Sequence, residues 1–212
     1  AEDTTIAPAR ADAATTAAVV DVRAKVDALL GATQRRVGRA HAVDGALAEV
    51  AVEARFPDEA VALGAPPTVW TVWSLAPSGD LALDVLWPDK PATRLPEATW
   101  CSFVPIVAEP ARWELDKLGQ RVSPLDVVRR GGRSLHAVGE GMHYDGPDGR
   151  LTIATPDAPL VAPGAPNLLD ADPPLPDLAG GFHVLLHDNC WGTNFPMWNE
   201  GPASFSFTLS IA

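Results

Sequence analysis

The chain has 212 residues, 47% apolar and 20% charged, with 16 Lys and Arg against 27 Asp and Glu, for a net charge of −11. That apolar fraction supports a soluble globular protein with a sizeable core and excludes a polar, disordered chain. No run of roughly 18 apolar residues is present, so no membrane-spanning helix is expected. So acidic a chain also lacks the cationic surface that nucleic-acid phosphates require.

Proline divides the chain. There are 21, and Pro8 is the only one before Pro57. An Ala-rich, Pro-poor head followed by a body punctuated by Pro and Gly reads as helix first and β-structure after. The division falls at residues 1–44, an arm and amphipathic connector, and 45–212, a β domain. Residues 1–12 read as a frayed arm, with no charged segment leading an apolar run, so no signal peptide is expected within the chain. Over 16–37, Val19, Val22, Val26, Leu29, Leu30 and Val37 recur at helical spacing, and Gly38 is a suitable stop.

Alternation takes over after Gly45. Val50, Val52, Ala54 and Phe56 share one face of a strand that Pro57 ends. Segments 69–75 and 81–87 flank Ala76-Pro77-Ser78-Gly79-Asp80, a hairpin turn. Further strands are expected at 99–104, 133–138, 151–154 and 181–187. The strongest alternation is C-terminal, where Phe205, Phe207, Leu209 and Ile211 oppose Ser204, Ser206, Thr208 and Ser210. Segment 158–178 is proline-rich and is expected to be an extended loop rather than a central strand. Short strands with Pro/Gly turns predict a mainly β protein, an antiparallel β-sandwich preceded by one or two N-terminal helices.

Few residues suggest chemistry. His183 and His187 have a spacing that helices use for metals, but they sit in a strand-like segment. Four residues of strand separate them by about 13 Å at ~3.3 Å per residue, too far for one ion. His136 and His143 flank Gly139-Glu140-Gly141 at no better spacing, and all four histidines read as structural. The two glycines have no strand-to-helix setting and carry no nucleotide signal. No Gly-x-Ser-x-Gly, phosphate loop or paired-cysteine motif is present. Hence no catalytic residue, no metal ligand and no cofactor is expected in this chain. Cys101 and Cys190 do not make a disulfide framework and read as buried free thiols, with pairing left open. Compartment stays undetermined.

Two stretches are richer. The first, 86–100, places Lys90, Arg94 and Glu97 between Trp87 and Trp100 in proline-stiffened backbone. The second, 189–198, holds Asn189, Trp191, Asn194 and Trp198 within ten residues. Aromatic faces beside amide and charged groups suit a glycan, so Trp191, Asn194, Trp198, Asn189, Lys90, Arg94 and Glu97 are the candidate substrate-binding residues. The competing reading is a loop whose Trp residues plug the end of the sandwich and whose Asn residues bond backbone.

These stretches also carry a resemblance. Leu95-Pro96-Glu97-Ala98, Gly119, Ser123-Pro124-Leu125-Asp126-Val127-Val128 and Leu135-His136-Ala137-Val138 belong to it. So do Asp157-Ala158-Pro159-Leu160-Val161 and Asn189-x-Trp191-Gly192-Thr193-Asn194-Phe195-Pro196-Met197-Trp198, followed by a Phe-x-Phe strand. Together they resemble the C-terminal part of a domain-of-unknown-function family similar to the family 38, α-mannosidase-like glycoside hydrolases. The resemblance spans residues 50–212, and Trp-Gly-Thr-Asn-Phe-Pro is its most specific element. It implies a β-sandwich of the galactose-mutarotase-like supersandwich type, with the 16–37 helix a remnant of a helical connector. In that family the zinc, the nucleophilic Asp and the acid lie in a β/α barrel, for which this chain has no room, so no catalytic residue carries over. The implied role is the non-catalytic C-terminal domain or subunit of such an enzyme, with a separate catalytic barrel as partner and one wall of a sugar cleft. Alternatives are a free-standing carbohydrate-binding module and a purely structural interaction subunit.

Overall fold

The computed structural model describes residues 34–43, 46–168, 170, 172–190 and 199–212, with side chains described from residue 49 onward. Thirteen strands lie among the described residues: β1 (Gln34–Val43), β2 (Ala46–Arg55), β3 (Thr68–Leu75), β4 (Leu81–Trp87), β5 (Ala98–Phe103), β6 (Glu114–Lys117), β7 (Gln120–Val122), β8 (His136–Ala137), β9 (Gly141–Gly146), β10 (Gly149–Ala154), β11 (Leu160–Pro163), β12 (Phe182–Asp188) and β13 (Ala203–Ile211). One short helix, α1 (Asp58–Val61), follows β2. The strands form a nine-stranded sheet, ordered β1-β2-β3-β4-β13-β10-β9-β6-β7, and a four-stranded sheet, ordered β5-β12-β11-β8. Their pairings are antiparallel, as expected of the mainly β sandwich.

Apolar alternation drives the centre of the large sheet. Leu83 and Val85 of β4 stand opposite Phe207 and Phe205 of β13, and Trp87 opposite Ala203. Each pair turns to the core by the two-residue period of a strand. Leu83, Val85, Trp87 and Phe207 are buried, and Phe205 and Leu209 pack against them. Ile211 runs out of the core and is exposed. The two sheets meet through aromatic rings. Trp113, just before β6, packs edge-on to Phe182 of β12 at 5.0 Å and beside Tyr144 of β9 at 5.4 Å. Phe103 of β5 meets Phe207 of β13 edge-on at 5.2 Å.

Several expectations change. The helix expected over 16–37 lies largely outside the described residues, but its end, 34–37, and the proposed stop Gly38 are in β1. Here a partner strand decides, because pairing with β2 supplies a ladder that outweighs a weak helical preference. The expected boundary at 44/45 coincides with the connection between these two paired strands. The strand expected at 133–138 shrinks to His136–Ala137, an edge pair held only by Leu160 and Val161. Conversely, the proline-rich 158–178 segment contributes β11, which lies between β12 and β8. Gly164 N donates to Gly181 O on the β12 side. By alternation the missing N–H of Pro163 falls on the other side, beyond the end of β8, so no ladder bond is lost.

Beyond β1 and β11, three more strands were not anticipated. The β6–β7 hairpin is short and polar, and its turn places Leu118 and Gly119 at φ 55° and 77°. Leucine is not a residue that announces such a turn. Strand β9 starts at Gly141, the second glycine of the pair, and carries His143, in a stretch where the sequence suggested no strand.

His136 is 4% exposed, and burial holds its imidazole at about 4, well below the usual 6.5. Nearby Lys117 pushes the same way, and a bond to the Arg133 backbone opposes both. The unfolded chain therefore takes up a proton first as pH falls. Stability should be full above about pH 6.5 and decline by on the order of 3 kcal/mol down to about pH 4, where the loss levels off. Urea unfolding of wild type and His136→Gln across that window should show a shallower pH dependence in the variant. Trp113→Ala should cost about 3–5 kcal/mol in the same assay, since it removes the ring that joins the sheets.

Candidate functional site

Two segments cross between the sheets at one end of the sandwich. Residues 88–97 lead from β4 to β5, and residues 189–202 lead from β12 to β13. Because β4 pairs with β13 and β5 with β12, the two crossings start and end beside each other: Trp87 faces Ala203 and Ala98 faces Asp188. These are the two stretches singled out in the sequence.

Lys90 is their hub. It is 3% exposed, and its ammonium lies 2.7 Å from Glu97 Oε1. It also donates to Pro91 O at 3.3 Å and Asn199 O at 3.2 Å. All three N–H donors are satisfied inside the protein, which is what a buried ammonium requires. Asn189, 2% exposed, completes the arrangement. Its Oδ1 accepts from Glu97 N at 2.7 Å, while its Nδ2 donates to Leu95 O at 3.0 Å and Glu97 Oε1 at 3.4 Å. The backbones are bonded as well, Asn189 N to Glu97 O at 3.1 Å and Gly201 N to Lys90 O at 3.0 Å. Gly64 closes against this loop. Its φ of 106° favours glycine, and a Cβ there would stand 2.5 Å from Thr93 Cγ2 and 2.8 Å from Glu97 Oε2.

His187 and Cys190 join the cluster without having been anticipated. His187 Nε2 lies 4.0 Å from Glu97 Oε1, and neither ring nitrogen has a hydrogen-bond partner among the described residues. Burial lowers its pKa below the usual histidine value, with Lys90 adding to the effect and Glu97 and Asp188 opposing it. Cys190 Sγ donates to Glu97 O at 3.4 Å. Its pKa is raised, first by burial and then by Asp188. Burial alone lifts Cys101 to about 11. Both cysteines are free thiols, and because their pKa values are raised neither is a ready nucleophile. A groove of about 270 Å³ opens beside His187 and Asp188, its opposite side formed by residues 157–160.

The strand register of β12 slips between Leu185 and His187. The two histidines consequently have separate neighbours. His183 Nδ1 lies 2.8 Å from Ser102 Oγ, whereas His187 turns to Glu97.

Of the seven candidate binding residues, the structure brings Lys90, Glu97 and Asn189 together. Arg94 lies on the same loop and is exposed. Trp191, Asn194 and Trp198 lie outside the described residues. No family model, curated protein or solved structure matches the chain. The site is therefore read from its own geometry. A buried ion pair with every donor satisfied, bonded to both flanks of segment 191–198, is a rigid base rather than a reacting group.

Removing one partner of such a pair leaves the other charge buried and uncompensated. Lys90→Met and Glu97→Gln should each lower stability by about 3–5 kcal/mol, while the double variant should lose much less than the sum. Chemical denaturation of the four proteins gives the coupling directly. Additive losses would mean that the two residues act independently.

Proposed function

We propose that this chain is the non-catalytic β-sandwich part of a glycoside-hydrolase-like protein, and that the crossing end of the sandwich is its sugar-facing surface. One observation carries the reading: Asn189 on one flank of 191–198, and Asn199 and Gly201 on the other, are tied to Lys90 and Glu97. A segment rich in Trp and Asn thus has both flanks anchored on one buried polar base, and recognition groups are best positioned from rigid supports. The base does not contact sugar in this reading. Lys90, Glu97 and Asn189 are positioning residues, and binding falls to exposed Arg94 and, by their residue type, to Trp191, Asn194 and Trp198. The resemblance read in these stretches, to a domain-of-unknown-function family similar to the α-mannosidase-like glycoside hydrolases, supports the choice of ligand class, with a catalytic barrel supplied by another domain or chain.

The test has two arms. The purified chain should turn over no aryl glycoside, with or without added zinc. It should bind manno-oligosaccharides saturably in a calorimetric titration, and Arg94→Ala or Trp191→Ala should weaken that binding several-fold at unchanged melting temperature. Turnover abolished by a single carboxylate substitution would overturn the non-catalytic role. Absence of glycan binding would overturn the sugar-facing surface.

A further inference from the structure

Among the described residues, one set of three metal-ligand side chains converges, and it lies away from the crossings, on the β6–β9 part of the large sheet. Leu115 of β6, Met142 of β9 and Ile153 of β10 stand in register and are fully buried in the core. Strand alternation therefore puts Asp116, His143 and Thr152 on the opposite face. Glu140 immediately precedes β9. Donor atoms of Asp116, Glu140 and His143 all lie within 4.8 Å of one another. His143 Nε2 and Glu140 Oε2 are 3.6 Å apart, close to the spacing of two ligands about 2 Å from a shared ion.

His143 is what separates this set from an ordinary acidic patch. The residue is only 9% exposed. Its Nδ1 lies 3.2 Å from Thr152 Oγ1, while Nε2 is buried and has no hydrogen-bond partner among the described residues. A buried ring nitrogen left bare is costly, and native interiors rarely leave one so. If Nδ1–H is donated to the Thr152 hydroxyl, Nε2 presents its lone pair toward the two carboxylates. A histidine oriented through its second nitrogen in this way is the usual state of a metal ligand.

The carboxylates are positioned as well. Asp116 Oδ1 accepts from Gly119 N at 3.2 Å. A Cβ on Gly139 would stand 2.6 Å from that oxygen, so a side chain there would push the carboxylate away. The backbone on both sides of Glu140 is held, by Gly139 N to Asp116 O at 2.9 Å and Thr155 N to Glu140 O at 3.0 Å. Arg121 pairs across from Asp116, with Nη2 3.5 Å from Glu140 Oε2. It is the cation that an ion would compete with, and at 43% side-chain exposure it has room to withdraw.

We propose that Asp116, Glu140 and His143 form a binding site for one divalent transition-metal ion of the zinc type. An imidazole nitrogen with two carboxylate oxygens suits zinc, cobalt or manganese. Magnesium and calcium prefer more oxygen ligands and are disfavoured. Three protein ligands leave a position for water, and the ion links β6 to the segment that starts β9.

Zinc and cobalt titrations of the chelator-treated full chain test this, by calorimetry and by the visible absorption of bound cobalt. Wild type should take up one equivalent of zinc at this site, with no comparable uptake of magnesium or calcium. Glu140→Gln, at a side chain exposed to solvent, and His143→Gln should abolish the cobalt spectrum. Thr152→Val, which removes only the partner of Nδ1, should weaken zinc about 10–100-fold. Arg121→Met should tighten it, because the competing cation is gone. No saturable zinc binding by wild type would overturn the proposal. So would wild-type affinity in Glu140→Gln, with folding confirmed by circular dichroism.

Discussion

Trp113 and Phe182 meet edge-on between the two sheets, and Phe103 and Phe207 do the same further along. These four rings belong to different parts of the chain, and each pair joins the large sheet side to the small one. A sheet that is apolar on one face must bury that face against a second layer. Ring-to-ring packing therefore sets both the spacing of the layers and the places where the chain can cross between them. With β4 beside β13 and β5 beside β12, the two crossings are brought to the same end. Everything polar at that end follows from this adjacency.

At that end the protein accepts a buried ammonium and a carboxylate, which hydrophobic packing alone would not require. The ion pair is tolerated because Lys90 finds three acceptors and because Asn189 bonds both the Glu97 backbone and its carboxylate. Burial of an ion pair contributes little net stability, but its directional bonds hold one arrangement of loops against others. Here they hold residues 88–97 to both flanks of segment 191–198. The same set of bonds leaves Lys90 with no donor for an outside ligand, which assigns it to support.

The outer face of the large sheet shows the complementary situation. Lys90 and Asn189 have their side-chain donors bonded, whereas among the described residues His143 has one nitrogen partnered and the other bare. Satisfied and unsatisfied buried groups thus distinguish a scaffold from a candidate ligand site within one small protein. His187 has no partner at either nitrogen among the described residues, yet it faces a carboxylate already engaged with Lys90, so it is a lesser case.

Alternation of apolar residues, read with Pro and Gly turns, was enough to locate β2, β3, β4, β10, β12 and β13 and to determine the antiparallel β class. Period-two burial is a local property, and Phe205, Phe207 and Leu209 display it whatever their neighbours are. The 88–97 and 189–198 stretches were also legible, as unusual concentrations of Trp, Asn and charge. What local pattern could not decide was pairing. Residues 34–43 join a sheet because β2 lies beside them, and Pro163 sits in an interior strand because its neighbour β8 ends first. Nor could spacing reveal that Lys90 would meet Asn189 and Asn199, or that Asp116 would meet His143. Those residues are brought together only when strands distant in sequence become neighbours, and hydrogen bonding and burial then determine which of them are free to bind anything.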